Sequence, residues 1–117
     1  MSAPVVQWQF VSSRPEEVAA FYAGAFGWKV TASNAIGYRQ VNAGDGVGGG
    51  IWPAPPGTPG FVQLFLGVED VDQSVARAVT FGAAIVVPVT TLPDGDTMAV
   101  LRDPTGVTFG VMRGKST

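Results

Sequence analysis

The sequence predicts an α+β fold built from two βαβββ modules in tandem. Three observations carry that expectation. A strand-like stretch leading into an amphipathic helix that stops at a glycine occurs twice, with Gly27 and Gly82 standing 55 positions apart. Each copy is followed by about three short strand-like stretches. Between the copies lies PAPPGTPG, residues 53–60, whose four prolines and two glycines exclude a helix or a central strand. A chain of 117 residues, 46% hydrophobic and 14% charged, suits one domain with a sizeable core. The expected organisation is a single domain, 1–117, with modules at about 5–52 and 61–113 and a linker at 53–60.

The elements follow in order. VVQWQFVSS, residues 5–13, reads as a strand with Gln7, Gln9 and Val11 on one face and Trp8 and Phe10 on the other. SRPEE then opens a helix, with Ser13 as the expected N-cap, Pro15 in the first turn and Glu16 completing a capping box. Val18, Phe21, Tyr22, Ala25 and Phe26 form one apolar stripe, and Gly27 ends the helix in a left-handed cap. Trp28 then begins the strand WKVTA, followed by IGYRQVN, the turn AGDG and VGGGIWP. The second copy opens with FVQLFLGV. Asp70 or Asp72 caps a helix carrying Val71, Val75, Ala78 and Val79, which stops at Gly82. AIVVPVTTL, the turn PDGD, TMAVLRD, the turn PTG and VTFGVMR complete it.

Composition excludes several functions. The chain has no Cys and no His, so thiolate sites, cysteine nucleophiles and the commonest general base and metal ligand are absent. Seven scattered Lys and Arg and a net charge of −2 give no basic stripe for phosphates, so nucleic acid is not an expected partner. The N-terminus lacks a signal-peptide pattern, and no apolar run reaches the length of a membrane span, so a soluble cytoplasmic protein is expected. GDGVGGGI lacks the lysine and following helix of a phosphate loop, and reads instead as a turn and a strand where backbones approach closely. Ser12 and Ser13 have no His to activate them. Glu69, Asp70 and Asp72 read as acids at a helix N-terminus. Arg102 reads as support for the DPTG turn, with Asp103.

RPEEVAAFYAGAFGW, VGGGIW, VEDVDQSVARAVTFGA and LRDPTGVTFGV together resemble the vicinal oxygen chelate superfamily, which includes glyoxalase I, bleomycin-resistance proteins and extradiol dioxygenases. The resemblance spans nearly the whole chain. It implies two βαβββ modules curling into a cup-shaped mixed sheet, with helices outside, a ligand site inside and, in many members, a homodimer. It also implies metal-ligand positions, which here fall on Gln7, Gln63, Gly110 and near Ile51. None is His and none is an acid. Two neutral amides do not replace the water of a divalent ion, so neither a metal nor any other cofactor is expected.

Alternation then gives an expected pocket lining: Gln7, Gln9, Tyr38, Gln40, Trp52, Gln63, Phe65, Met98, Thr108 and Met112. Trp8, Phe10, Leu64, Leu66, Phe109 and Val111 are expected to pack under the helices. Buried glutamines need partners, which are either water and a ligand or backbone carbonyls. Trp52 either stacks on a ligand or buries itself against a second chain. Tyr38 and Arg39 are adjacent strand residues and point to opposite faces. The expected function is metal-free binding of a small, mostly neutral, partly aromatic molecule. The lining is not acidic, which weighs against cationic drugs of the bleomycin type. The alternatives are a lyase, isomerase or dioxygenase-like enzyme of the same superfamily, and a protein-interaction domain using the linker and Trp52.

Overall fold

The computed structural model describes residues 2–113. It is α+β and carries the βαβββ order twice. The chain divides into two compact units, Gln7–Gln63 and a second that runs from Leu64 and includes residues 2–6. The Gly67 N–H donates to the Pro4 carbonyl at 2.8 Å, which ties the N-terminal residues to the second unit.

The first unit holds β1 (Val5–Ser12) from Gln7 onward, α1 (Pro15–Phe26), β2 (Lys29–Val30), β3 (Arg39–Asn42) and β4 (Gly49–Pro53). Its strands are ordered β2-β3-β4-β1, with β1 and β4 parallel and the other pairs antiparallel. The second unit holds β5 (Phe61–Val68) from Leu64 onward, α2 (Val71–Thr80), β6 (Ala84–Thr91), β7 (Thr97–Arg102) and β8 (Thr108–Arg113). Its order is β5-β8-β7-β6, again with one parallel pair, β5 and β8. The same pairing pattern in both units is the structural form of the internal duplication.

Rings hold α1 to its sheet. Tyr22 stacks on Trp28 with ring centroids 4.7 Å apart, and Phe10 meets Tyr22 edge-on at 5.0 Å. Trp8 lies 5.0 Å from Trp28 and 5.5 Å from Phe10. Trp8 and Phe10 therefore pack on the α1 side, as alternation predicts. Of the expected apolar stripe, Val18 and Tyr22 are half-buried, while Phe21 is 59% and Phe26 67% exposed, because the helix is seated through Tyr22. Arg39 shares a cross-strand row with Ile51 and Phe10, and its guanidinium donates to Glu16 of α1 at 3.3 Å.

The helix ends are set by local chemistry. Gly27 caps α1 in the left-handed region, with φ 74°, and its N–H and that of Trp28 donate to the Ala23 and Tyr22 carbonyls. Ser13 is not the N-cap. The Ser12 hydroxyl accepts the Arg14 N–H at 3.0 Å, so Arg14 takes the N-cap position and Pro15 opens the helix. Asp70 caps α2 by accepting the Gln73 N–H at 3.0 Å.

In the second unit α2 covers one face with Val71, Val75, Ala99, Leu101 and Val111, joined by Leu66 and Phe109. Leu64 and Val79 depart from expectation, being 48% and 44% exposed. The turn 103–106 is organised by the Asp103 carboxylate, which accepts from the Thr105 hydroxyl at 2.7 Å, the Thr105 N–H at 2.8 Å and the Val107 N–H at 3.1 Å. Arg102 is exposed beside it.

The Thr105 hydroxyl, and next the Val107 N–H, hold the Asp103 carboxyl below its ordinary value of 3.8. A folded value below the unfolded one means the turn stabilises fully above the unfolded value and loses that contribution as pH falls through the folded one. Asp103→Asn is expected to flatten the acid limb of the urea midpoint against pH, between about pH 5 and pH 2. An unchanged acid limb would show that the turn does not sense this carboxyl.

Candidate functional site

Cross-strand register sets out the face of the first unit that points away from α1. Gln9 pairs with Gly50 and Gly50 with Gln40, giving one row across β1, β4 and β3. By alternation Gln7 and Val11 of β1, and Trp52 of β4, share this face. Tyr38, immediately before β3, joins them: the Gln7 amide Nε2 donates to its hydroxyl at 2.9 Å, and its ring lies 5.2 Å from Trp52 at 53°. Ile51 points the other way, with Phe10 and Arg39, so Gly50 and Trp52 are the residues of GGGIW that reach this face.

The backbone that presents Tyr38 is built by Asn34. Its side-chain oxygen accepts the Ile36 and Tyr38 N–H groups, each at 3.0 Å, and its own N–H donates to the Tyr38 carbonyl at 2.9 Å. The phenol ends over Gly50, where a Cβ would collide with the ring and hydroxyl. On the opposite face a Cβ at Gly49 would collide with the indole of Trp8. The GGG run is thus two seats for aromatic rings, one on each face, as well as a strand.

Gln9 is 6% exposed, and its side-chain oxygen has no hydrogen-bond partner among the described residues. Gln63 is 7% exposed. Gln40 is exposed and opens on an edge groove of about 480 Å³, lined also by Lys29, Thr31 and Asn42. Lys29 pairs with Asn42 in register, two residues along β3 from Gln40, so both share the Gln40 face. Sequence reasoning missed Lys29, Thr31 and Asn42. Their only signal was the register of a two-residue strand.

In the second unit the face away from α2 is filled. Phe65 (1% exposed), Met98 (8%) and Val100 (7%) form a small core, with Met112 and Leu92 packed against it. Thr108 is half-buried and pairs with Arg102. Phe65 and Met98 are therefore core side chains here, not open walls. Phe65 pairs with Gly110, and a Cβ at Gly110 would collide with its ring. Gly110 stands to β5 as Gly50 stands to β1. Counting from Gln63 as from Gln7, Phe65 takes the place of Gln9.

Of the acid positions implied by the resemblance, the one on Gly110 has its Cβ site covered by the Phe65 ring, and the one near Ile51 falls beside Gly50, whose Cβ site is covered by the Tyr38 ring. Gln7 Nε2 donates one of its two hydrogens to the Tyr38 hydroxyl. Among the described residues no three His, Cys, Asp or Glu side chains cluster as metal ligands, and no helix is long and apolar enough to cross a membrane.

Comparison with known proteins agrees with this architecture. Residues 8–112 match the family described as glyoxalase-like domain. The chain is 31% identical over 109 residues to "Putative glyoxylase CFP32" of Mycobacterium tuberculosis, and equally to that of Mycobacterium bovis. The match takes in 90% of this chain and spans 42% of the length of those relatives. Among solved structures, a hypothetical protein from Bacillus halodurans superposes with a TM-score of 0.72 at 14% identity, covering 100% of this chain and 98% of that one. Methylmalonyl-CoA epimerase from Streptomyces coelicolor gives a TM-score of 0.69 at 16% identity, with 98% and 100% covered. That from Mycobacterium tuberculosis gives 0.69 at 11%, with 99% and 94% covered. At these identities the structures share the fold.

The two covered glycines are expected to respond differently to alanine. At Gly110 the obstacle is the ring of a fully buried Phe65, so Gly110→Ala is expected to destabilise by about 1–3 kcal/mol in urea unfolding. At Gly50 the obstacle is the hydroxyl end of a half-buried Tyr38, which can move only by giving up its bond from Gln7, so Gly50→Ala is expected to lose about 1 kcal/mol. Equal losses would show that Tyr38 is as fixed as Phe65.

Proposed function

The chain belongs to the family of glyoxalase-like domains, and we propose that it is a member that binds a small, planar, mostly neutral organic molecule without a divalent metal. The binding surface is the face carrying Gln7, Gln9, Tyr38, Gln40 and Trp52. One observation supports the reading: Gly110, where the resemblance puts an acid, and Gly50, beside Ile51 where it puts the other, each lie beneath an aromatic ring. Trp52 bordered by neutral amides suits a flat organic ligand, with one wall for stacking and a few polar anchors, and the Tyr38 ring occupies that place in this structure. A homodimer is part of the proposal, since Phe21 and Phe26 leave apolar surface exposed on α1.

A second reading is an isomerase or lyase. It is favoured by the name of the mycobacterial relatives, of which this chain spans 42%. Tyr38 would then be the acid or base on this face, acting on a substrate laid against Trp52. The two readings differ in turnover. Protein-dependent exchange of solvent deuterium into a C–H beside the carbonyl of a bound substrate, lost in Tyr38→Phe, would decide for the enzyme.

Thermal melting of chelator-treated protein tests the binding reading. Ni²⁺, Zn²⁺, Mn²⁺ and Fe²⁺ are expected to leave the midpoint unchanged. A planar aromatic ligand at about 100 times its dissociation constant is expected to add about 2.7 kcal/mol, which is several degrees for a domain of this size. A saturable rise with a metal, abolished by Gln7→Ala or Gln63→Ala, would overturn the metal-free assignment.

A further inference from the structure

We propose that the side-chain oxygen of Gln9 sets ligand specificity by accepting a hydrogen bond from an N–H or O–H on the rim of the planar molecule; this rests on the binding reading above. Gln9 is 6% exposed, and its buried oxygen has no hydrogen-bond donor among the described residues. A buried acceptor without a donor disfavours the state that contains it, so a molecule that brings the donor relieves that state as it binds. Its neighbours do not supply one. Gln7, two residues earlier on the same face, directs its amide at the Tyr38 hydroxyl, and the cross-strand partner Gly50 has no side chain.

The same row shows how a ligand reaches the oxygen. The Tyr38 phenol ends over Gly50, the residue directly opposite Gln9. Swinging the phenol off Gly50 uncovers a floor without a Cβ, edged by Gln9 on one strand, Gln40 on the other and Trp52 further along β4. A ring entering that slot replaces the Tyr38 ring against Trp52 and turns its edge toward Gln9. The selected chemistry is a flat ring bearing a hydrogen-bond donor. A flat ring bearing only an acceptor is disfavoured, because two acceptors would then meet.

Indole and benzofuran are matched probes, nearly equal in shape, one with an N–H and the other with an ether oxygen. Each is titrated by NMR into ¹⁵N-labelled wild type, Tyr38→Ala, Gln9→Met and the double variant, following the Gly50 amide and the Trp52 side chain. Indole is expected to bind about tenfold more tightly than benzofuran, more strongly still to Tyr38→Ala, with the preference gone in both variants that carry Gln9→Met. Gln9→Met is also expected to melt no lower than wild type, because it removes an unpaired acceptor. Equal binding of the two probes, a preference that survives Gln9→Met, or a lower melting point for Gln9→Met would overturn the Gln9 assignment and leave the pocket standing. Failure of both probes to bind even Tyr38→Ala at millimolar concentration would overturn the pocket and the Gln9 assignment together.

Discussion

Aromatic rings seated on strand glycines organise this protein. Trp8 covers Gly49, Tyr38 covers Gly50 and Phe65 covers Gly110, in each case so closely that a Cβ could not be added without moving something. Trp8 and Phe65 lie over their own register partners on the neighbouring parallel strand. A ring needs area to lie on, and within a sheet a glycine is the position that offers it. The first unit then uses its ring on the α1 side to join the Phe10–Tyr22–Trp28 cluster, and its ring on the other side to shape the candidate site. The second unit uses its ring to fill a core with Met98 and Val100.

This packing also limits the chemistry. A divalent ion needs several donors converging from fixed strands, and acids supply most of its charge compensation. At Gly50 and Gly110 the chain has hydrogen atoms beneath a phenol and a phenyl ring. What remains on the first unit's outer face is amides, two large rings and, at the edge groove, Lys29. On the proposed reading such a surface orients and discriminates molecules more readily than it moves protons.

Much of the fold was legible because local chemistry sets it. Gly27 closing α1, Asp70 opening α2, the proline-rich stretch and the turn at Asp103 each follow from a residue acting on its own backbone. The expected Ser13 cap was wrong by local competition: the Ser12 hydroxyl takes the Arg14 N–H and the helix starts one residue later. The exposure of Phe21 and Phe26 was not legible, since periodicity marks a stripe but not how much of it the sheet reaches. On the site, alternation placed Gln7 and Gln9 on one face, but partners come from register. Nothing in the order of residues says that Gln7 bonds to Tyr38 while Gln9 is left without a donor. The groove around Lys29 and Asn42 depends on a strand of two residues, too short to leave a pattern.

The covered glycines make one claim that a single measurement reaches directly. Protein produced in metal-replete medium, purified without chelator and analysed for metal by mass spectrometry is predicted to carry far less than one transition-metal ion per chain. A stoichiometric ion that disappears in Gln7→Ala or Gln63→Ala would contradict the account, because it would mean that the rings over Gly50 and Gly110 do not close the site to a metal.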